Sequence, residues 1–202
     1  MTVVVGSCIL RVCYIFLQYM GQWYDIDSYP SNWQSGTCNS AFYSQRGSFV
    51  DVVNTQVVDR AISVAQGVGS FVENEQTAKL SLNFSSSTRD YWVLSTDYST
   101  YALVYSCLNV DSQHMQVGAW KLSRNKQLTQ SAETAIDNVM ATINVLDSRY
   151  FIQRDHTSAG CTFETNIQTG DPVILSGTCP TNLLPVTNFD LTSVSIVLQL
   201  SK

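Results

Sequence analysis

The chain has few of the residues that metal centres, nucleic-acid surfaces and membrane spans require. It contains two histidines, His114 and His156, and no Cys-x-x-Cys pair. Neither histidine has a metal-ligand residue three or four positions after it, so no zinc site is expected. Charged residues make up 13 % of the chain, the net charge is −5, and the lysines and arginines are scattered, which argues against a phosphate-binding surface. No apolar run reaches the length of about 20 residues that spans a bilayer.

Apolar residues, by contrast, make up 45 % of the 202 positions, enough for the core of one domain with appendages. The triplet Asn83-Phe84-Ser85 is a glycosylation sequon with Asn83 as its acceptor, which favours a secreted protein. Residues 1–18 nevertheless form a poor signal peptide, because no basic region precedes the apolar run and Arg11 interrupts it.

Six widely spaced cysteines point to the same compartment. An even number of this kind indicates disulfides and an extracellular protein, with buried unpaired thiols as the alternative. The cysteines are Cys8, Cys13, Cys38, Cys107, Cys161 and Cys179.

The dominant period from residue 19 to residue 109 is two, and an eighth run of the same kind follows. Short runs rich in Val, Tyr, Phe and Thr alternate with Gly, Ser, Asn and Asp, a pattern typical of strands joined by turns. Their even spacing predicts a meander that forms a sandwich or a closed barrel. The eight runs are GQWYDIDSYP, CNSAFYSQ, SFVDVVNTQVV, RAISVAQGVG, TAKLSLNF, DYWVLSTDY, YALVYSCLN and HMQVGAWKLS.

The period becomes helical between Thr129 and Asn144. Thr129 suits the N-cap position and Glu133 suits the first turn. A ninth short strand, RYFIQR, follows the helix. This order favours a closed barrel, which removes exposed sheet edges and leaves room for one small ligand. The apolar helix face consists of Ala132, Ile136, Val139, Met140 and Ile143.

The motifs do not indicate an enzyme. No Gly-x-Ser-x-Gly is present, and neither histidine stands beside a marked nucleophile and orienting carboxylate. Asp25 and Asp27 lie two positions apart on the predicted first strand, where both would share one face. A strand start near solvent explains this pair without catalysis.

Three short motifs stand at characteristic places in the strand order. Gly21-Gln22-Trp23-Tyr24 opens the first strand, Thr96-Asp97-Tyr98 lies in the turn after the sixth, and Arg124 ends the eighth. Together they resemble the signature of the lipocalin family. YDIDSYPSNWQSGTC, STDYSTYALVYSC and WKLSRNKQLTQSAETAIDNV resemble the branch with apolipoprotein D and the insect bilin-binding proteins, and crustacyanins share part of this. The resemblance implies an all-β fold, an eight-stranded antiparallel up-and-down barrel with one C-terminal flanking α-helix.

The resemblance gives the three motifs structural roles. It implies that Trp23 closes one end of the barrel, that Arg124 packs across its face, and that Thr96, Asp97 and Tyr98 form the neighbouring turn. A cation–π contact of this kind is worth about 0.5–2 kcal/mol. We therefore expect substitutions of these residues to lower stability more than they alter ligand choice.

The strand register of the family also implies which side chains face the cavity. Small residues there would leave volume, and Asn54, Gln56 and Gln116 would orient a polar edge of the ligand. Trp33, in the loop after the first strand, would cap it. A shift of one residue would turn every strand position outward. The predicted ligand-binding set is Trp33, Asn54, Gln56, Ser63, Ala65, Leu80, Leu82, Phe84, Tyr91, Val104, Ser106, Gln116, Gly118 and Trp120.

By the same resemblance, Cys38 pairs with Cys161. The family also joins the seventh strand, here Cys107, to an N-terminal Cys-Pro segment, but no Cys-Pro precedes the first strand. Cys8 and Cys179 are therefore the two candidate partners. Cys179 stands in GTCPTNLLPVTNFDL, which resembles the family's N-terminal segment placed near the C-terminus.

The predicted organisation has four parts. They are an atypical segment 1–18, the barrel and helix 19–161, a linker 162–178, and a segment 179–202 that resembles the start of a lipocalin domain. Two explanations of the last segment stay open. Either a tandem lipocalin array has been cut out of phase, or the order is genuine and the tail closes its own barrel.

The predicted function is the binding and transport of a small hydrophobic ligand outside the cell, first of all a bilin such as biliverdin. No cofactor is required, and the protein is expected neither to bind nucleic acid nor to span a membrane. Fatty acid, retinoid, carotenoid and pheromone are alternative ligands. A structural or interaction protein with a barrel filled by its own side chains is the second alternative. This interpretation allows one kind of protein partner, either a second copy of the chain or a tandem lipocalin neighbour.

Overall fold

The computed structural model describes residues 17–72, 78–85 and 87–163. These residues form nine strands, one α-helix and a short 3-10 helix at Ser148–Tyr150. Nearly all of segment 1–18, the linker beyond residue 163, and segment 179–202 lie outside the described ranges. The elements are β1 (Gly21–Ser28), β2 (Thr37–Arg46), β3 (Phe49–Val58), β4 (Ala61–Phe71), β5 (Lys79–Phe84), β6 (Ser87–Thr96), β7 (Tyr101–Asn109), β8 (Met115–Ser123), α1 (Gln130–Met140) and β9 (Ile152–Gln153).

The first eight strands form a closed antiparallel barrel. Each strand pairs with the next from β2 to β8, β8 pairs with β1, and β1 pairs with β2 to complete the circle. The eight predicted strands and the barrel are confirmed. The ninth strand lies beside the end of β1, where Asp27 and Ser28 pair with Gln153 and Ile152. It covers the place where β1 and β2 diverge.

Strand β1 contains a bulge that changes which side chains face inward. Asp25 pairs with Leu122, but Asp27 pairs with Lys121, so Ile26 is an extra residue in the ladder. An extra residue reverses the alternation of faces beyond it. Asp25, before the extra residue, keeps the regular alternation, points into the barrel and is 2 % exposed, while Asp27, beyond it, points outward. The prediction that both aspartates share one face near solvent is wrong.

The predicted helix is confirmed, although it ends at Met140 rather than near Asn144. Thr129 is its N-cap and accepts a hydrogen bond from the Ala132 amide at 3.2 Å. After Met140 the Thr142 and Ile143 amides donate to carbonyls three residues back. These 3-10-type bonds tighten the last turn and end the helix.

Two apolar clusters stabilise the fold, one on each side of the barrel wall. The outer cluster packs Ile136 and Met140 of α1 against Leu103 and Ala119. The inner cluster fills the lower half of the barrel interior. It contains Tyr19, Trp23, Tyr43, Val50, Val52, Leu80, Leu82, Tyr91, Ala102, Val104 and Leu122.

The barrel is closed at the end where β1 begins. Trp23 is fully buried there, and its Nε1 donates to the Tyr19 carbonyl at 2.8 Å. The Arg124 Cζ lies 3.7 Å from the centroid of the Trp23 ring. The Arg124 guanidinium also donates to the carbonyls of Gln22 and Tyr98, at 2.7 and 3.1 Å. Its Nη2 donates to the Gln18 carbonyl at 3.0 Å, so one side chain connects β1, the segment before it and the β6–β7 turn.

The β6–β7 turn is organised by Asp97. Its Oδ1 accepts from the backbone amides of Ser99, Thr100 and Tyr101, at distances between 2.7 and 3.1 Å. This is the local bonding that favours aspartate in turns. It presents the Tyr98 carbonyl to Arg124.

A disulfide joins Cys38 at the start of β2 to Cys161, with their Cα atoms 5.2 Å apart. This predicted pairing is confirmed. It ties down the segment after β9, whose Asp155 carbonyl accepts from the Cys38 amide at 2.8 Å. Residues 152–161 are called the strap below.

Candidate ligand-binding site

The barrel contains a cavity of about 380 Å³ above the inner cluster. This volume falls within the range of small-molecule sites. The cavity wall combines aromatic and aliphatic side chains with amides and hydroxyls. The predicted residues that line it are Trp33, Asn54, Gln56, Ser63, Ala65, Leu82, Phe84, Tyr91, Ser106, Gln116, Gly118 and Trp120.

Two residues of the predicted set differ from that expectation. Leu80 and Val104 do not line the cavity, and both are 0 % exposed in the inner cluster. Their inward direction agrees with the register, since Leu80 pairs with the cavity residue Tyr91. They lie below the floor of the cavity, so they act as core.

The floor is made by hydrogen-bonded tyrosines. The Tyr43 hydroxyl donates to the Tyr91 hydroxyl at 2.7 Å, and the Tyr19 hydroxyl lies 2.7 Å from the same oxygen. Burial raises the pKa of Tyr19, Tyr43 and Tyr91 well above that of a free phenol. All three therefore stay neutral at physiological pH and form a polar but uncharged base.

Glycines make room for large side chains at the wall. A Cβ on Gly118 would lie 2.6 Å from Cη2 of Trp120, and one on Gly67 would lie 2.7 Å from Cε1 of Phe84. Gly118 was predicted to leave volume for the ligand. The structure shows that Trp120 occupies this space, so the indole lies across β8.

The loop between β1 and β2, residues 29–36, forms the mouth and is called the mouth loop below. Gln56 holds it from β3: its Oε1 accepts from the Gly36 amide at 2.8 Å and its Nε2 donates to the Trp33 carbonyl at 3.0 Å. Trp33 is 49 % exposed, and its ring centroid lies 6.0 Å from that of Trp120.

The amides predicted to orient a ligand therefore differ in availability. Both amide atoms of Gln56 are engaged by the mouth loop. Asn54 and Gln116 also line the cavity, and their amides make no hydrogen bond to any residue that the structure describes. These two are free to bond a ligand.

Several wall residues were not expected from the sequence. Tyr43 and Arg89 follow from the alternation of β2 and β6, because each lies two residues from another inward position. Asp25 likewise lies two residues after the inward Trp23, but the sequence gives no sign that the bulge turns its neighbour Asp27 outward. The wall residues outside the predicted set that matter below are Asp25, Ser31, Gln34, Tyr43 and Arg89.

A chain of hydrogen bonds connects the wall to the mouth loop. Asp25 Oδ2 accepts from Ser28 Oγ at 2.8 Å and from Gln34 Nε2 at 2.9 Å. Gln34 Oε1 in turn accepts from Trp120 Nε1 at 2.9 Å. The strap contributes Arg154, whose Nε lies 3.5 Å from Asp25 Oδ2. Gln34 thus couples the loop to both the carboxyl and the indole.

The Asp25 carboxyl is electrostatically unusual. Burial raises its pKa to about 7, although the hydrogen bond from Ser28 and the charge of Arg154 act in the opposite direction. Its second oxygen, Oδ1, is buried without a hydrogen-bond partner in the described parts of the chain. An unsatisfied buried acceptor costs roughly 1–3 kcal/mol.

Arg89 is the cationic residue of the wall. Its side chain is half-buried on β6 and makes no ion pair with any residue in the described ranges. Its guanidinium can therefore donate hydrogen bonds to the carboxylate of an amphiphilic ligand without losing an existing partner.

One group of potential metal ligands occurs among the described residues. Atoms of Cys38, Cys161 and His156 lie within 4.8 Å of one another. Both sulfur atoms belong to the disulfide, so they are not thiolate ligands. His156 instead donates from Nε2 to the Asp25 carbonyl at 2.6 Å, which fastens the strap to β1.

Comparison with known proteins identifies the family. Residues 20–157 match the model of the lipocalin / cytosolic fatty-acid binding protein family. This chain is a lipocalin. The match covers the barrel, α1 and most of the strap.

Relatives of this lipocalin lie in the expected branch. It is 33 % identical to apolipoprotein D of Macaca fascicularis over 132 residues, 63 % of this chain and 70 % of that protein. It is 31 % identical to the bilin-binding protein of Pieris brassicae over 149 residues, 71 % of this chain and 79 % of that protein. Insecticyanin of Manduca sexta superposes with a TM-score of 0.65 at 25 % identity, covering 79 % of this chain and 86 % of that one.

Two further predictions about this lipocalin stay open. Cys107 makes no disulfide within the described residues, and both of its candidate partners, Cys8 and Cys179, lie outside them. Asn83 is exposed on β5, where its Oδ1 accepts from Thr88 Oγ1 at 2.6 Å, so the proposed glycan would point away from the cavity.

No helix in the described ranges is long and apolar enough to cross a membrane.

Proposed function

We propose that this lipocalin binds and carries a small hydrophobic molecule in its cavity, and that this molecule is a bilin such as biliverdin. The cavity of about 380 Å³ is the observation that carries the proposal. Its mixture of apolar wall and few free polar groups suits one amphiphilic ligand. The relatives named bilin-binding protein and insecticyanin support the choice of ligand class.

Burial of apolar ligand surface would supply most of the binding free energy. Trp120 and Phe84 offer flat surfaces, and the tyrosine floor fixes the depth. Trp33, on the mouth loop, would cover the ligand from above. Asn54 and Gln116 would bond its polar edge.

A carrier of fatty acid is the second candidate, because of Arg89. A guanidinium in the wall can pair with the carboxylate of a fatty acid, as it can with the propionate groups of a bilin. The remaining alternative, a barrel filled by its own side chains, is disfavoured by the cavity volume.

We further propose that the protein is an extracellular carrier and not an enzyme. The disulfide Cys38–Cys161 supports an oxidising compartment. The histidines support the absence of catalysis in the described residues. His156 bonds the Asp25 carbonyl, and His114 pairs with Asp111 at 2.8 Å on the exposed β7–β8 turn.

Titration with biliverdin tests the proposal. Tryptophan quenching and the visible absorption band report binding, and displacement of a fluorescent fatty acid reports the second candidate. Ala65→Phe fills the cavity from β4 and should weaken biliverdin binding at least tenfold. Thr88→Phe, on an exposed position of β6 outside the cavity, is the matched control. A wild-type protein that binds only the fatty acid would replace the first candidate by the second, and equal binding by both variants would move the site elsewhere.

A further inference from the structure

One oxygen in the cavity wall is buried and unpaired. Asp25 is 2 % exposed and lines the cavity. Ser28 and Gln34 both donate to its Oδ2, whereas Oδ1 has no hydrogen-bond partner among the residues that the structure describes. Buried polar atoms of this kind are rare in native proteins and call for a specific explanation.

The titratable groups around Asp25 do not supply the missing donor. The Nε of Arg154 approaches Oδ2, at 3.5 Å, and His156 donates from Nε2 to the backbone carbonyl. Arg154 Nη2 and His156 Nδ1 are also buried without a partner among the described residues, and neither makes a hydrogen bond to Oδ1. The Tyr43 hydroxyl donates into the tyrosine floor. Asp27 lies beyond the bulge on the outer face.

Two neighbouring wall donors are also committed. Trp120 Nε1 donates to Gln34, and the Gln34 amide nitrogen donates to Oδ2. Ser31 Oγ is a second buried wall atom with no partner in the described parts of the chain. The protein thus places an unpaired acceptor, and a hydroxyl that can also accept, beneath the mouth loop. Both atoms are closed to solvent, so a ligand reaches Asp25 Oδ1 by displacing the loop at Ser31 or Gln34.

We propose that Asp25 Oδ1 accepts a hydrogen bond from the ligand, so that this cavity selects apolar molecules that carry N–H or O–H donors. The inference rests on the proposed function and specifies its ligand class. The pyrrole and lactam N–H groups of a bilin meet this requirement. A ligand whose polar atoms are all acceptors leaves Oδ1 unpaired.

Above its pKa of about 7 the Asp25 carboxyl is ionised and Oδ1 only accepts, so the binding measurements are made at about pH 8.5. There the Asp25→Asn variant converts this acceptor into a donor. Ser28 and Gln34 require an acceptor at the Oδ2 position, so the new amide nitrogen takes the place of Oδ1. It then opposes a ligand N–H but can bond a ligand carbonyl. Asp27→Asn makes the same chemical change two residues away, outside the barrel.

The experiment measures the affinity of wild type, D25N and D27N for two probes. Biliverdin carries N–H donors, and all-trans-retinal carries a single oxygen that only accepts. We expect D25N to weaken biliverdin binding about tenfold or more, as for loss of a hydrogen bond to a charged group. Retinal affinity should not fall, and D27N should match wild type for both probes.

Three results would overturn the inference. Equal biliverdin binding by wild type and D25N means that Oδ1 takes no ligand donor and that a solvent molecule satisfies it. Wild type that binds retinal and not biliverdin contradicts the selection for donors but leaves a hydrophobic carrier intact. Wild type that binds neither probe removes the proposed function and, with it, the inference.

A second measurement on wild type covers the case in which D25N does not fold. The 13C resonance of the Asp25 carboxyl is followed through a pH titration with and without biliverdin. A ligand donor stabilises the carboxylate and lowers its pKa. An unchanged or raised pKa in the complex would contradict the proposal.

Discussion

The two ends of the barrel are built on opposite principles. At the closed end, Trp23 is fully buried, its Nε1 is bonded, and the Arg124 guanidinium donates to carbonyls of separate segments. At the open end, Trp33 is half exposed, and Asp25 Oδ1 is buried without a partner among the described residues. Satisfied groups stabilise the fold at one end, and at the other end we propose that unsatisfied groups bind a ligand.

Because of this difference, the residues that determine stability and the residues that determine ligand choice lie at opposite ends of the barrel axis. The inner cluster lies between the ends and forms both the core of the closed end and the floor of the cavity. Leu80 and Val104 show the boundary, since they face inward but lie below the floor. Substitutions above the floor should alter ligand binding, and those below it should alter the free energy of unfolding.

The two tryptophans at the ends give the largest expected contrast. Trp23→Ala removes a fully buried side chain and its cation–π contact, so it should lower the free energy of unfolding by about 3–5 kcal/mol. Trp33→Ala removes a half-exposed side chain and should change it by less than about 1 kcal/mol. Denaturant unfolding measures both. If Trp33→Ala lowered the free energy of unfolding as much as Trp23→Ala does, the two ends would not differ in their contribution to stability.

The disulfide should have the next largest effect. It closes a loop of 123 residues between Cys38 and Cys161. The double replacement of both cysteines by serine should lower the free energy of unfolding by about 2–4 kcal/mol. Because the strap carries Arg154 and His156 to Asp25, binding of biliverdin should weaken as well. Unchanged binding by the folded double variant would show that the strap serves the fold alone.

The smallest expected effect within any single pH unit is a pH dependence. The pKa of Asp25 is about 7 in the folded protein and about 3.9 in an unfolded chain. Between these values the folded state holds a proton that the unfolded state has released, so stability should fall as pH rises from about 4 to about 7. The slope from this group is on the order of 1 kcal/mol per pH unit.

Asp25→Asn removes the titrating group and should flatten this part of the curve. Denaturant unfolding of both proteins at several pH values between 4.5 and 8 measures the difference, which isolates Asp25 from other groups. Parallel curves would show that the carboxyl ionises in the folded state as it does in water.

Much of the fold follows from the sequence because its periods are strong. Runs such as YALVYSCLN alternate without interruption, and the helix has a capping threonine and one apolar face. The end of α1 did not follow, because Ile143 continues the helical pattern while the backbone already makes 3-10 bonds there.

The site was less predictable, because its key contacts depend on the closed barrel. The run GQWYDIDS alternates as a regular strand would, so nothing in it marks the bulge that turns Asp27 outward and leaves Asp25 as the inward carboxyl. The height of the cavity floor depends on how Tyr43 and Tyr91 meet across the barrel. The bonds of Gln56 to the mouth loop join residues that are about twenty positions apart in the chain.

The four tryptophans allow the central claim to be tested in one experiment. Trp33 and Trp120 lie at the cavity, Trp23 lies at the closed end, and Trp92 packs with the outer cluster. In a 1H–15N spectrum each indole N–H gives one peak. Titration with biliverdin should shift the peaks of Trp33 and Trp120 and leave those of Trp23 and Trp92 in place. Shifts confined to Trp23 or Trp92, or no shift at saturating ligand, would contradict a ligand site at the open end.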